Sequence, residues 1–253
     1  MASRMIKTEY RIHYIGKNMK RDRPIIAIDG TTGSGKSTVA KLVAKKLGFR
    51  YIDTGAMYRV ITLKALKNKI NLKNEKDLAK IAKETQIELR EEDKLRVFMD
   101  GVEVTEEIRD PIVSKNTSDV ADCVDVKKIL IEKQREMAKG GGVVLDGRDI
   151  GSLVFPDAEF KFYIDASVDE RAKRRYNELL QKGINQDFKT VKEDIIKRDK
   201  RDTSRAFGAL KLVKDARKID TTDLSIDEVV NIIVNEVNKA KKVKKKKERN
   251  IKK

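Results

Sequence analysis

The stretch Gly30-Thr31-Thr32-Gly33-Ser34-Gly35-Lys36-Ser37 most constrains what this chain can fold into. It fits G-x-x-x-x-G-K-[ST], a pattern that works in one setting: a loop between a buried strand and a helix. The flanks supply both. The apolar run Ile25 to Ile28 reads as the strand. From Ser37 to Leu47, the residues Val39, Leu42, Val43 and Leu47 fall on one helical face, and Gly48 stands at the C-terminal stop. Gly30, Gly33 and Gly35 let the backbone curl so that its N–H groups face an anion, and the positive helix end adds to the attraction. In that setting Lys36 reaches the terminal phosphates of a nucleoside triphosphate and the Ser37 hydroxyl ligates Mg²⁺. Thr31, Thr32, Ser34 and Thr38 complete the expected nucleotide-binding stretch.

Strand and helix signals alternate along both flanks, which predicts a parallel α/β sheet. Buried strands are expected at 25–29, 50–52, 143–146, 160–164 and 217–220. Helices are expected at 54–67, 125–139, Ser167 to Lys182 and after Ser225. The last two open with capping boxes, Ser167 with Glu170 and Ser225 with Glu228. The middle differs. Leu78 and Ile81 mark a short helix, and 86–90, 94–99 and 102–104 read as small strands with an Asp100-Gly101 hairpin turn. Such an antiparallel patch suggests an insertion capping the sheet's carboxyl edge, where open α/β sheets bind ligands.

The net charge of +17 points to an acidic partner until it is located. Residues 1–23 carry seven Lys/Arg against two acids, and residues 240–253 carry nine against Glu248, leaving only +4 between them. The basicity therefore sits in an N-terminal extension, 1–23, and a C-terminal tail, 240–253, around a central domain at 24–239. Such ends either touch RNA or anionic lipid or continue a solvated helix; the tail lacks the aromatics of a nucleic-acid binder, which favours the second. Met19 begins a run leading directly into the first strand, so a natural start there is expected, although an acid-poor start also fits a targeting peptide. Cys123 is the only cysteine and cannot form an internal disulfide. With no apolar signal-peptide core and no run of about 18 apolar residues, a cytoplasmic, monomeric protein without a membrane span is expected.

What receives the phosphoryl group is the open question. No N/T-K-x-D guanine-reading motif is present, and Val143-Val144-Leu145-Asp146 ends in an acid followed by Gly147 rather than Glu. Asp146 either holds Mg²⁺ through water or serves as a strand-end turn residue. The only histidine, His13, lies in the extension, so no Cys–His or Ser–His pair operates in the core. A neutral hydroxyl acceptor would need an Asp as base. An anionic phosphate acceptor would need none, and catalysis would rest on positioning two repelling groups. That task calls for arginines, whose planar forks grip phosphates at two points. The chain offers Arg59, five residues after a candidate helix cap at Thr54, then Arg109 and Arg148. Two clusters follow: Arg171, Arg174 and Arg175, then Arg198, Arg201 and Arg205. They flank Gly183 and read either as solvated faces or as parts of a moving lid.

At these residues the chain resembles the bacterial-type cytidylate kinases of the nucleoside monophosphate kinase family. The resemblance runs from about Pro24 to Ala240. It rests on seven segments in order: IDGTTGSGKST (28–38), YIDTGAMYR (51–59), EIRDPIVSKNTSDVA (107–121), LDGRDIGSLVFPDA (145–158), FYIDASVDERAKRR (162–175), KRDKRDTSR (197–205) and IDTTDLSIDEVV (219–230). It implies a P-loop NTPase fold, a three-layer α/β/α domain on a five-stranded parallel sheet. It adds a small antiparallel monophosphate-binding insert, about 61–118, and an arginine-rich helical lid, about 167–205. It implies transfer of the ATP γ-phosphoryl, with Mg²⁺, to CMP or dCMP. Carried over by position, Thr54, Tyr58 and Arg59 line the monophosphate pocket, with Arg109 nearby and Arg148 on the same phosphate. Ser118 and Asp149 face the cytosine. Arg198 and Asp202 approach the sugar, Arg205 bridges toward the transferring phosphoryl, and Arg174 and Arg175 close from the lid.

Cytosine offers an amino donor where uracil offers an acceptor, so a carboxylate such as Asp149 accepts from the first and repels the second. Lys127 stands where the family usually has arginine. A lysine cannot make the forked contact, so looser selection of CMP over UMP is expected. Thr31 replaces a proline common in the family, with an expected cost in rigidity. Kinases for UMP, shikimate or dephospho-coenzyme A on the same scaffold remain the enzymatic alternatives. A nucleotide-binding protein that associates with RNA or a membrane through its basic ends is the other.

Overall fold

The structure, a computed structural model, describes residues 21, 23–92 and 94–251; for 241, 242 and 244–251 it describes the backbone alone. In chain order the elements are β1 (Ile25–Gly30), α1 (Lys36–Leu47), β2 (Arg50–Asp53), α2 (Thr54–Lys67), α3 (Glu75–Glu84), β3 (Ile87–Glu91), β4 (Leu95–Met99) and β5 (Val102–Glu103). A 3₁₀ turn (Glu107–Arg109) leads to α4 (Pro111–Asp122) and α5 (Val124–Met137). Then come β6 (Val143–Gly147), a π turn (Ile150–Val154), β7 (Phe160–Asp165), α6 (Val168–Gln181), α7 (Phe188–Ser204), β8 (Arg217–Asp220) and α8 (Ile226–Ile251).

Five strands form one parallel sheet in the order β2-β6-β1-β7-β8. Strand β1 lies at its centre and is buried along its whole length, as an apolar run flanked by helices on both faces must be. One face packs Ile25, Ala27 and Leu145 against α2, α3, α4 and α5, through Met57, Leu78, Val120 and Leu130. The other packs Ile26, Ile28 and Phe162 against α1 and α8, through Val43 and Ile233. Ala172, Leu179, Val191 and Ile195 form a separate small core that holds α6 to α7.

Local chemistry sets the ends of these elements. Ser225 and Glu228 close a capping box at α8, and Ser167 caps α6 through the Glu170 N–H. Asp100 and Gly101 both take positive φ, 51° and 83°, the conformation of a tight two-residue hairpin.

Two expectations are corrected. The cap of α2 is Asp53, whose carboxylate accepts the Ala56 N–H at 2.8 Å; Thr54 is the first helical residue instead. A carboxylate at the end of β2 reaches the first-turn donors, while the Thr54 hydroxyl turns to the Asp146 carbonyl at 2.6 Å. The antiparallel sheet β3-β4-β5 does not cap the carboxyl edge either. It flanks edge strand β2, where the Tyr51 N–H donates to Glu91, and α4 covers the edge in its place. The backbone of α8 continues as helix to Ile251, through the basic tail. The extension before residue 21, with His13 and the Met19 start, lies outside the described residues.

Candidate functional site

The carboxyl ends of β1, β2 and β6 open into a cleft of about 490 Å³. At one wall, the loop after β1 runs into α1. Gly30 is obligatory there: a Cβ would sit 2.0 Å from the Ile164 carbonyl oxygen of β7. Gly35 caps α1 in the left-handed conformation (φ 85°), and no side chain caps that helix end. The first-turn N–H groups are thereby left to an incoming anion. Thr31 accepts the Ser34 hydroxyl and the Lys36 ammonium on its carbonyl, each at 3.0 Å. Its own hydroxyl donates to Asp165 at 2.8 Å, an anchor that opposes the loss of rigidity expected where proline is absent.

Lys36 is buried. Desolvation pushes its ammonium down to about 7; Arg148 adds to the shift and Asp146 opposes it. Across from it, Ser37 donates to Asp146 at 2.5 Å and the Tyr51 hydroxyl donates to the other carboxylate oxygen at 2.6 Å. Burial, then Asp53, push the Asp146 carboxyl above its ordinary value, against Lys36 and the Ser37 and Tyr51 hydrogen bonds. Two crowded carboxylates beside a hydroxyl are a setting that a dication relieves. Among the described residues no three His, Cys, Asp or Glu form a metal cluster. The Ser37 hydroxyl and the Asp146 carboxylate it bonds, with Asp53 beside them, suit Mg²⁺, an ion that takes few protein ligands.

The opposite wall is cationic. Arg59 donates to the Ile108 carbonyl at 3.1 Å and to Ser114 at 2.6 Å; burial, then Arg109, push it down to about 10. Arg109 pairs with Asp53 at 2.9 Å. Arg148 pairs with the buried Asp202 at 2.6 Å and reaches the Thr32 hydroxyl at 3.1 Å. Arg205 holds Asp202 at 2.9 Å and Asp122 at 2.7 Å. Burial alone would raise the Asp202 carboxyl, but Arg148 and Arg205 outweigh it and hold it below its ordinary value. Arg198 is pushed down to about 10 by burial, then by Arg148, and its Nε has no hydrogen-bond partner among the described residues. Arg109, Arg148 and Arg205 are neutralised by carboxylates, while Arg59 and Arg198 have no carboxylate partner among the described residues, an excess of positive charge that an anion in the cleft would relieve.

The deep end is smaller. Lys127 donates to Asp149 and to the Gly208 carbonyl, each at 3.1 Å, and Thr117, Ser118 and Tyr58 line the cleft beside them.

Most residues expected from the sequence meet in this one cleft: Thr32, Gly33, Lys36, Ser37, Thr38, Thr54, Tyr58, Arg59, Arg109, Ser118, Lys127, Asp146, Arg148, Asp149, Arg175, Arg198, Asp202 and Arg205. Arg174 does not. Its guanidinium donates to the Thr221 carbonyl at 2.6 Å and to Glu170 at 2.9 Å, because its place one residue before Arg175 turns it toward β8. Three carboxylates escaped the sequence reading. Asp29, at the end of β1, accepts the Ile150 and Gly151 N–H groups at 2.8 Å each and so fixes the turn that carries Arg148 and Asp149. Burial pushes it up to about 7, against those two hydrogen bonds. Asp53 and Asp122 orient Arg109 and Arg205. An acid directly before the first loop glycine was the available signal for Asp29; for Asp122 the sequence holds none.

A parallel sheet with a phosphate loop on its central strand, an acid heading the adjacent strand and an arginine wall opposite defines a P-loop kinase. The chain belongs to the cytidylate kinase family, whose profile matches residues 26–239. It is similar to the cytidylate kinase of Caldanaerobacter subterraneus subsp. tengcongensis, at 51% identity over 214 residues, 85% of this chain and 94% of the relative. It is similar also to the cytidylate kinases of Clostridioides difficile (47%, covering 85% of this chain and 98% of the relative) and Desulforamulus reducens (50%, 85% and 97%).

Proposed function

We propose that the chain transfers the γ-phosphoryl of ATP to CMP and dCMP, releasing ADP and the pyrimidine diphosphate. One observation carries this reading. A single cleft has the phosphate loop at one end, the Lys127–Asp149 pair at the other and arginines between them. Its ends fit a triphosphate donor and a monophosphate acceptor facing each other. The Lys127 ammonium gives a donor beside the Asp149 acceptor, which complements the amino group and ring acceptors of cytosine.

The acceptor phosphate is already an oxyanion, so the reaction needs no general base, and the described cleft holds no histidine. Lys36 and the loop N–H groups hold the donor phosphates. Arg59, Arg109 and Arg148 hold the acceptor phosphate, and Arg198, Arg205 and Arg175 spread over the transferring group. Ser37 and Asp146 would hold Mg²⁺, which would supply positive charge to neutralise the phosphates. Helices α6 and α7 form the lid that excludes water. Small-molecule substrates and a cytoplasmic setting accord with this reading, and among the described residues no helix is long and apolar enough to cross a membrane.

A coupled ADP-release assay over CMP, dCMP, UMP, shikimate and dephospho-coenzyme A tests it. CMP and dCMP should give the highest kcat/KM. Equal rates for UMP and CMP, or a preference outside the cytidine nucleotides, would overturn it.

A further inference from the structure

The phosphate loop is held from outside by the two lid helices, at one residue. Thr32 occupies a variable position of the motif, and its backbone does the work. Its N–H donates to Asp199 of α7 at 3.1 Å, and its carbonyl accepts from Arg171 of α6 at 3.0 Å. Arg171 and Asp199 pair with each other, and Arg171 is buried, with its Nε fixed on the Ala166 carbonyl at 2.9 Å. Helix α6 also presses directly on the loop: a Cβ on Gly33 would lie 3.1 Å from the Arg171 carbonyl oxygen. Both peptide groups of Thr32 are thus set by α6 and α7, while its hydroxyl receives Arg148 from the acceptor side at 3.1 Å.

We propose that Asp199 and Arg171 are positioning residues that hold the phosphate loop in its anion-binding curl from the lid helices. Nucleotide affinity then depends on how α6 and α7 are seated. The inference rests on the phosphoryl-transfer reading only in naming the loop's ligand as a nucleotide. A bare carboxylate beside an anion site would repel phosphate; the Arg171 partner neutralises it, so the hydrogen bond to Thr32 remains as its contribution.

The test is equilibrium binding of ADP by calorimetry, which needs no turnover and is read even if CMP proves not to be the acceptor. Asp199→Ala should weaken ADP binding about tenfold or more, as loss of a charge-assisted hydrogen bond does. Asp199→Asn keeps an oxygen for the Thr32 N–H and should stay within about threefold of the wild type. CMP binding, read at the Lys127–Asp149 end, should be unchanged in both. Should Asp199→Ala fail to fold, Arg171→Lys carries the test with the same expected weakening, because an ammonium cannot bridge Thr32, Asp199 and Ala166 together. Unchanged ADP affinity in Asp199→Ala, or in Arg171→Lys where that variant carries the test, would overturn the proposal. Tighter ADP binding in Asp199→Asn, the sign of a merely repelling charge, would do so too, as would equal weakening of ADP and CMP.

Discussion

In the proposed reading, nine consecutive residues of the phosphate loop, Gly30 to Thr38, would hold an anion largely through backbone N–H groups and one lysine. Across the cleft the same task is proposed for Arg59, Arg109, Arg148, Arg175, Arg198 and Arg205, carried by α2, the 3₁₀ turn, the residue after β6, α6, and α7 with its C-cap. The first site is contiguous in the chain, so glycines and a helix start set its basic curl, which Asp165, Asp199 and Arg171 then anchor from outside. The second is held by carboxylates, Asp53, Asp122 and Asp202, that aim long side chains from separate elements. Backbone donors cost no side-chain entropy and cannot be misaimed. Arginine forks must be ordered one by one, and carboxylate partners do that for Arg109, Arg148 and Arg205.

That contrast can be broken at the donor end first. Lys36→Ala should lower kcat/KM on the order of 10³-fold while the thermal midpoint stays near the wild type, since the loop keeps its backbone. Retained turnover would show that backbone groups alone hold the donor. The same lysine gives a sharper test. Its ammonium is depressed to about 7 by burial, so at about pH 8 it is mostly neutral in the free protein. A bound triphosphate favours the charged form, so binding must take up protons as pH rises above that value. Calorimetry with a non-hydrolysable ATP analogue, in buffers of different ionisation enthalpy, should show that uptake; Lys36→Arg should abolish it.

Smaller effects are expected at the acceptor end. Asp149→Asn should cut the CMP/UMP ratio of kcat/KM roughly a hundredfold, because an amide offers uracil the donor that a carboxylate denies it. Lys127→Arg should raise the same ratio severalfold, and an unchanged ratio would show that the lysine already reads cytosine as well as a fork does. The smallest effect belongs to Arg174. Turned to Thr221 and away from the cleft, its Arg174→Ala variant should keep kcat/KM within about twofold, whereas Arg175→Ala should cost about tenfold. Equal losses would mean that lid closure brings both arginines inward.

Much of this was legible from the chain alone. The central strands β1 and β6 were readable as short apolar runs, because a strand covered on both faces has no polar alternation, whereas edge strand β8, expected to be buried, exposes Arg217, Lys218 and Asp220 and buries only Ile219. The hairpin at Asp100-Gly101, the cap at Ser167 and the box at Ser225 were readable because turns and caps are chosen by residues within four positions of each other; at Ser167 the box is half made, since its N–H goes to Thr222 and Glu170 pairs with Arg174. Thr54 was misjudged as a cap because Asp53 and Thr54 are both good capping residues, and only the direction of β2 decides between them. Arg174 and Arg175 differ by one position on a helix, about 100° of rotation, and no local signal says which side faces the cleft. The position of β3-β4-β5 beside β2, rather than over the strand ends, likewise follows from packing.

By itself the sequence determined the phosphate loop: strand, glycine loop and helix are contiguous, and glycine with a helix start favours its curl. Tertiary structure alone decided the long-range contacts that hold the walls of the cleft. Which carboxylate orients each arginine, that Asp29 fastens the Arg148–Asp149 turn, and that Asp199 and Arg171 grip Thr32 are contacts between residues far apart in the chain. Their pairing is set by the sheet order β2-β6-β1-β7-β8, which brings the ends of β1, β2 and β6 to one edge and leaves their charged residues few partners but each other.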